Sequence, residues 1–443
     1  MSASTHSHIK DILDLIVLFL DKKSGPPPSH SIMNPQIFHY YKEIVRVWNQ
    51  LNFIYRTTLL SLDAAAKYEN FIDPILNATH LYAIYRIHWE NAPLISIQDE
   101  LDAFLSPIFK EQFLAFLAKL KTFSWKRALS KKSKIEILSL TETTPSFVIE
   151  HLQPVMSYKF LKANLRTMNS INNNFEFTIR VNTISEISAK ILSNLKQDGI
   201  PFRQDQHIPE LLHVPYKMRS RLLQNKWYKS GLLIVQDKAS AAVVDILAPQ
   251  PEELIGDLCA APGIKTSFIA QKVKNSAKIY ALDFHTPRTQ QMKKILSNLQ
   301  VINTQIINCD SINTPVRLDF LFDRVLLDAP CTGSGTFLTN PELKWRQTTS
   351  FLRQNTQLQQ NLLKTAIRIL KSKGTLVYST CSLYPEEGEL QILKFLDKLE
   401  PLELPEWIAP SYNIKNSPIP GTGRFFPALH HTQGFFLAKF KKR

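Results

Sequence analysis

Cysteine is scarce in this chain: four residues in 443, Cys259, Cys309, Cys331 and Cys381, with no close pair and no C-x-x-C. That excludes a disulfide framework and gives no zinc-site spacing, so no metal is expected and a reducing compartment is the natural setting. Long apolar runs are missing too. The one early stretch, 12–20, is about half of what a bilayer-spanning helix needs, and Asp11 and Asp14 lie in or beside it. No small-residue cleavage site follows it, so neither a membrane span nor a secretion signal is expected. Glycine is rare early: of twelve, only Gly25 precedes Gly199. Acidic residues are outnumbered, 38 against 53 Lys plus Arg, for a net charge of +15. Such an excess favours a polyanionic partner, nucleic acid or an anionic surface, without choosing between them.

The glycine-poor region carries apolar residues at helical spacing over 37–62, 72–88 and 97–123, each bounded by proline or polar breaks. We read 1–140 as an all-helical domain that includes a flexible proline-containing stretch, 24–28. Thr143-Thr144-Pro145-Ser146 reads as a helix start, and the asparagine-rich 169–174 as a loop. The alternation of 177–183 predicts a strand and 188–197 a helix closed by Gly199, giving a small α+β module over 141–225. From residue 226 to 443 the rhythm becomes strand, loop, helix. Strands are expected at 254–258, 278–283, 304–308, 324–328, 375–379 and 434–440, with a helix over 350–370. The fold class is therefore α/β: a doubly wound, mostly parallel, Rossmann-like sheet preceded by the α+β module and the helical domain.

Candidate chemistry clusters where these strands meet their loops, the edge at which open α/β sheets bind ligands. The run Asp257-Leu258-Cys259-Ala260-Ala261-Pro262-Gly263-Ile264-Lys265-Thr266 closes one strand and opens a helix. Its small residues admit a ligand close to the backbone, and the helix start suits a carboxylate or phosphate. It is neither common nucleotide loop: G-x-G-x-x-G is absent, and Lys265 falls one place late for G-x-x-x-x-G-K-T. Taken alone it is equally well a tight turn. Asp283 ends the next strand, where an acid holds ribose hydroxyls in nucleotide folds. Asp310 follows the third, placed to accept from an adenine amino group. A lone strand-end aspartate is usually a cap or turn residue; three in succession, at 257, 283 and 310, weaken that reading. A strand-end cysteine is more often inert than nucleophilic, and Cys259 and Cys309 keep that reading. Cys331 and Cys381 depart from it, each in a polar or proline-stiffened loop with Asp328 and Lys265 expected nearby.

Taken together, D-L-C-A-A-P-G-I-K-T, L-L-D-A-P-C-T-G-S-G and Y-S-T-C-S-L-Y-P-E-E resemble the signature set of the Sun/Fmu (RsmB-like) family of RNA cytosine-5 methyltransferases. Gln236-Asp237-Lys238-Ala239-Ser240, Lys344-Trp345-Arg346, Gln359 with Leu362 and Leu363, and Gly434-Phe435-Phe436-Leu437-Ala438-Lys439 reinforce it. Arg180-Val181-Asn182-Thr183 resembles the family's small RNA-binding module, and the helical region loosely resembles its NusB-like domain. One departure is Phe337-Leu338-Thr339, which stands where family members often carry a basic pair.

The resemblance implies S-adenosylmethionine as cofactor, with Cys259, Ala260, Ala261, Pro262, Gly263, Ile264 and Lys265 around its methionine end, Asp283 on the ribose, Asp310 near the adenine, and Arg288 and Asp328 assisting. It implies Cys381 as the thiolate that adds to cytosine carbon 6 and Cys331 as the group that helps carbon 5 lose its proton. Asp328 would hydrogen-bond the ring and Lys265 would organise the site. The partners implied are rRNA or tRNA, for a monomer that is cytoplasmic, or nucleolar in a nucleated host. A DNA cytosine-5 methyltransferase would attack with the Pro-Cys thiol and need no second one. A dehydrogenase would need the missing glycine fingerprint. An idle RNA-binding assembly factor would have no use for both cysteines with Asp328 and Lys265. For the helical region, Lys119, Lys121, Lys126, Arg127, Lys131, Lys132 and Lys134 are expected either to contact RNA or to form a solvated face.

Overall fold

The computed structural model describes all residues except 1–2, 23–33, 63–72, 170–175, 315, 317–319 and 415. The stretch 24–28 and residues 170–174 of the asparagine-rich segment lie outside the described residues. The chain forms two compact units, Met1–Gln153 with Thr339–Gln347, and Pro154–Leu338 with Thr348–Arg443.

The first unit is helical. The apolar run at 12–20 lies within the helix Ala3–Lys22, where Ile9, Ile12, Leu13, Ile16 and Phe19 are buried at helical spacing. No helix among the described residues is long and apolar enough to cross a membrane. The expected helix over 37–62 is two, Pro35–Arg46 and Trp48–Leu59, broken at Val47. The expected 97–123 is interrupted at 102–106, after which Ser106 caps a new helix, Pro107–Leu120, by accepting from the Phe109 N–H. Proline at the first turn costs nothing there, because that N–H has no partner within the helix. Lys344, on the 3₁₀ turn Pro341–Arg346, is fully buried in this unit. Its Nζ donates to the Arg46 and Thr143 carbonyls at 2.9 and 3.0 Å, and the Trp345 indole donates to the Val45 carbonyl at 2.8 Å. Lys121, Lys126, Arg127, Lys131, Lys132 and Lys134 are exposed, and Lys132 pairs with Glu136 at 2.8 Å.

The second unit holds two sheets. The smaller, antiparallel one has the order β2-β3-β1-β4, from β1 (Glu176–Val181), β2 (Arg203–Gln204), β3 (Leu211–Pro215) and β4 (Leu233–Val235). The larger begins with β5 (Leu254–Leu258), β6 (Lys278–Asp283), β7 (Thr304–Asn308), β8 (Phe322–Asp328) and β9 (Leu370–Thr380). These pair in parallel in the order β7-β6-β5-β8-β9. Chain order reverses between β5 and β8, and a crevice opens at such a switch point. The last four strands, β10 (Leu399–Pro401), β11 (Ala409–Pro410), β12 (Thr422–Phe425) and β13 (Phe435–Lys442), are antiparallel, with β13 against β9. Apolar residues fill both faces of the centre: Ile255, Leu326 and Val377 pack with Phe268 and Ala242, while Leu258, Leu327 and Tyr378 pack with Leu363 and Phe436. Burial on both faces is why these strands read as continuous apolar runs.

Candidate active site

The loop after β5 turns sharply: Cys259 has φ +62° and Gly263 φ +98°. Gly263 has no substitute, since a Cβ there would lie 2.7 Å from Met292 Cγ as well as on strained backbone. Gly263 leads into the helix Ile264–Lys272. The loop is held to β6 by Ala260 N–H on the Leu282 carbonyl, 2.9 Å, and Ala261 N–H on Asp283 Oδ2, 3.1 Å. Asp283 is buried and also accepts from the His285 N–H at 3.0 Å. Exposed Arg288 donates to the Ala261 carbonyl and stands 3.7 Å from Asp283. Asp310 is exposed and engaged as a cap, accepting from Ile312 N–H at 3.0 Å and Asn313 Nδ2 at 3.1 Å.

Asp257 is 1% exposed at the end of β5. Its Oδ2 accepts from Thr266 Oγ1 at 2.6 Å, while its Oδ1 has no partner among the described residues. Burial pushes its carboxyl up to about 7, with Asp328 and Asp283 adding repulsion. A buried carboxylate oxygen without a partner, beside a tight loop of small residues, is a seat for a cation. These residues therefore fit a ligand with an ammonium at one end and a ribose diol at the other, as S-adenosylmethionine has.

Across the crevice, Lys265 Nζ lies 2.6 Å from Asp328 Oδ2, and Ser379 Oγ donates to Asp328 Oδ1 at 2.7 Å. Burial alone would lower the Lys265 ammonium, but the adjacent Asp328 outweighs it and holds Lys265 up. Cys331 and Cys381, fifty residues apart, meet with their sulfurs 3.2 Å apart. Register explains it: β8 and β9 are parallel, with Asp328 opposite Ser379, so both following loops start at one level. The Cys331 thiol is pushed well up by its hydrogen bond to Cys381 and by burial. Burial likewise raises the Cys259 and Cys309 thiols, in keeping with their reading as inert.

The turn after Cys331 leaves no room for a side chain, since a Cβ on Gly335 would overlap the Gly434 carbonyl oxygen. Gly434 in turn donates its N–H to the Gly335 carbonyl at 2.8 Å. Arg424, fully buried, forks onto Glu389 at 2.7 and 2.6 Å and donates to the Ser382 carbonyl at 3.0 Å, fixing the segment after Cys381.

Arg180 lies in the run that resembles the family's RNA-binding module. It is fully buried, donating to Ser267 Oγ at 2.6 Å and the Ile264 carbonyl at 3.3 Å, over the Phe268 ring. Burial brings its guanidinium down to about 9. Asn182 is buried too, joining the Gly231 and Leu299 carbonyls at 3.1 and 3.0 Å. The R-V-N-T run thus ties the small sheet to the helix that opens at Gly263. Sequence reasoning also passed over Gln359 and Glu387 as functional groups; both are fully buried around Cys331.

A parallel sheet with its switch point at β5/β8, an acid ending β6 and a small-residue loop before a helix define a Rossmann-like methyltransferase fold. Residues 244–441 match the family model of the 16S rRNA methyltransferase RsmB/F. Over this segment the chain is similar to that family, the Sun/Fmu group. It is 37% identical over 280 residues to a probable ribosomal RNA small subunit methyltransferase B of Synechocystis, a match covering 61% of each chain. It is 34% identical over 221 residues to a tRNA (cytosine(72)-C(5))-methyltransferase of Pyrococcus horikoshii, covering 50% of this chain and 55% of that one. The chain thus spans less than two thirds of the length of these curated relatives. The solved structure of PH0851 covers all of both chains at 26% identity with a TM-score of 0.77.

Proposed function

We propose that this protein is an S-adenosylmethionine-dependent RNA cytosine-5 methyltransferase acting on rRNA or tRNA, through a covalent bond from Cys381 to carbon 6 of the base. The observation that carries this reading is the pair of thiols in contact, beside Lys265 and Asp328, at the switch point of a methyltransferase sheet. Carbon 5 of cytosine is too weakly nucleophilic to accept a methyl group directly. Addition of the Cys381 sulfur to carbon 6 breaks the 5,6 double bond and moves its electron pair to carbon 5. The Cys259–Lys265 loop and Asp283 would hold S-adenosylmethionine, whose sulfonium methyl would pass to carbon 5 with the electrons of the broken S–CH₃ bond left on a neutral thioether. Asp328 carries the proton that the Cys381 thiol gives up to nitrogen 3 as the adduct forms, and Lys265 offsets the charge on the Asp328 carboxylate. Cys331, its own proton released to solvent, then takes the proton from carbon 5, the double bond re-forms, and the carbon 6 to sulfur bond breaks with its electrons returning to Cys381.

The order of these steps follows from the thiol contact. Cys331 keeps its proton while Cys381 is its hydrogen-bond partner, because that bond is the first cause of its raised pKa. Once Cys381 is a thioether, that cause and the charge on Cys381 both disappear. Cys331 then ionises more readily, at the stage where a base is needed.

RNA as partner is supported by a surface that the sequence motifs did not single out. Residues 211–236 contain no Asp or Glu. Lys217, Arg219, Arg221, Lys226 and Lys229 are all exposed there, and among the described residues none forms an ion pair. Half-buried Tyr216, Trp227 and Tyr228 lie between them. Cations interleaved with aromatic rings suit phosphates and unstacked bases. The catalytic segment 226–443, the α+β segment 141–225 and the helical segment 1–140 are proposed as three functional parts of a monomer that works in the cytoplasm, or in a nucleolus where the host has one.

Bisulfite mapping of cellular RNA with and without the gene tests the activity and identifies the cytosine. Cys381→Ala is expected to abolish methylation, and Cys331→Ala to accumulate a denaturant-resistant RNA adduct on Cys381. An adduct mapped to Cys331 would reverse the roles, and unchanged RNA methylation without the gene would leave the idle assembly factor as the better reading.

A further inference from the structure

Glu387 takes no part in the bond changes of the proposed reaction, yet it is the residue that joins the two thiol loops. It ends the 3₁₀ turn Pro385–Glu387 and is fully buried. Its backbone carbonyl accepts from the Tyr378 hydroxyl at 2.7 Å and from Thr380 Oγ1 at 3.3 Å. Those side chains lie on β9, just ahead of Cys381. Its carboxylate faces the other loop: Oε1 accepts from the Thr332 N–H at 2.9 Å, and Oε2 accepts from the Thr332 hydroxyl. Gln359, also fully buried, closes the arrangement, because its amide donates both to Glu387 Oε1 at 3.0 Å and to the Pro330 carbonyl at 2.8 Å. The residues on either side of Cys331, Pro330 and Thr332, are therefore both tied to one carboxylate, whose backbone is tied to the strand that delivers Cys381.

We infer that Glu387 is a positioning residue for the proposed reaction: it braces the Cys331 loop against the Cys381 strand and so sets the spacing of the two thiols. This rests on the reading of Cys381 and Cys331 as attacking and resolving thiols. Three features make a brace of it rather than an ordinary buried acid. Among the described residues no Lys, Arg or His pairs with it, so its charge is met by neutral donors alone. Such donors are directional, and each fixes one atom of the Cys331 loop or its surroundings. Both its carboxylate oxygens and its carbonyl are engaged, leaving little freedom to move. Its charge also helps keep the Cys331 thiol protonated, after the hydrogen bond to Cys381, burial and the charge on Cys381 itself. Glutamine in its place would present an NH₂ to donors that need an acceptor, and one of the bonds to Thr332 or Gln359 would be lost.

The test uses the full chain in four forms: wild type, Glu387→Gln, Thr332→Val and Thr332→Ser. The first measurement does not require the reaction. Diamide joins two adjacent thiols in a disulfide, its azo group taking up the two electrons and two protons they release. Peptide mass spectrometry then follows formation of the Cys331–Cys381 link. Wild type and Thr332→Ser are expected to link fast, and Glu387→Gln and Thr332→Val at least ten-fold more slowly. The second measurement uses transcribed 16S rRNA and tRNA with S-adenosylmethionine. Glu387→Gln and Thr332→Val are expected to show a ten-fold or greater fall in kcat with little change in KM, and a rise in the fraction of enzyme trapped as an SDS-stable RNA adduct. Thr332→Ser is expected to restore turnover, because it keeps the hydroxyl. If Glu387→Gln fails to fold, the Val and Ser pair at 332 decides alone. Equal linking rates in all folded forms overturn the inference. If wild type links fast and the variants slowly but no form methylates RNA, the brace stands and the functional reading falls.

Discussion

Asp257→Asn tests the electrostatics of the β5 end most directly, because the substitution removes a charge while preserving shape. Asp257 is buried with its carboxyl pushed up to about 7 from 3.8, so the folded protein binds its proton more tightly than the unfolded chain does. The sign follows from linkage. Where the folded state holds more protons, stability falls as pH rises, here between roughly pH 4 and pH 7, and is level above about pH 8. At ~1.4 kcal/mol per pH unit, the full cost of the charge reaches about 4 kcal/mol, of which about 2.5 kcal/mol is added between pH 5 and pH 8. Asparagine does not titrate, so its cost is constant. Its carbonyl still receives the Thr266 hydroxyl, but its NH₂ occupies the position of Oδ1, which has no partner among the described residues, at about 1–3 kcal/mol. The stability difference between wild type and variant should therefore move by about 2.5 kcal/mol in favour of the variant from pH 5 to pH 8. Native-state hydrogen exchange of the β5 amides in cofactor-free protein reads this locally, whatever the helical unit does. Comparison at equal pH cancels the intrinsic exchange rates. A difference that changes by less than about 0.5 kcal/mol across that range would refute the assignment of a strained charge at Asp257.

Asp283→Ala should weaken S-adenosylmethionine binding by ten-fold or more in calorimetry while leaving RNA affinity unchanged; intact cofactor affinity, or dependence on an added divalent ion, would remove Asp283 from the site. Replacing Lys217, Arg219, Lys226 and Lys229 with alanine should lower RNA affinity and flatten its salt dependence by roughly 0.7 in log–log slope for each phosphate no longer neutralised. Arg180→Ala should leave that slope unaltered and instead cost about 3 kcal/mol of stability, because its bonds to Ser267 and Ile264 and its stacking on Phe268 are removed. A slope change with Arg180→Ala would show that the residue takes part in RNA binding after all. Gly335→Ala should destabilise the second unit by about 3 kcal/mol or more in thermal melts, since the new methyl overlaps the Gly434 carbonyl.

The parts of this fold that can be read from the sequence are those whose side chains have one job. β5, β6 and β8 are buried on both faces, so their apolar runs carry a signal independent of neighbours, and five of the six expected strands lie within two residues of their observed ends. β9 is the exception at its start, beginning at Leu370 rather than Thr375, because Lys371, Ser372 and Lys373 extend it with an exposed edge that has no apolar pattern. β10 to β12 are two to four residues long and carry too few side chains for any alternation to show. The two thiols were legible as a pair because each follows a strand, and parallel strands bring their ends to one level. Their 3.2 Å contact was not, since it depends on the register of β8 on β9.

Charged residues are where reading from sequence changes most, because charge is a property of the side chain while its role belongs to the partner. Arg180 sits in an alternating strand, and alternation assigns an arginine to the solvent face. The structure turns it inward because Ser267 Oγ, the Ile264 carbonyl and the Phe268 ring together satisfy a guanidinium, and none of these is visible from residue 180. Asp310 had a cue that favoured the plainer role: Asp-Ser-Ile-Asn places a carboxylate two residues before an N–H it can cap, and that is the bond it makes. Glu387 is the converse. The second of the two acids after Tyr-Pro is fully buried, and no Lys, Arg or His pairs with it among the described residues. Only Thr332 and Gln359, 55 and 28 residues away in sequence, reveal why the chain tolerates it. A buried anion held by neutral donors costs stability that an apolar residue would not, and those donors lead directly to the residues flanking Cys331. The cost is thus located at the one place where the proposed chemistry requires two thiols to be kept close.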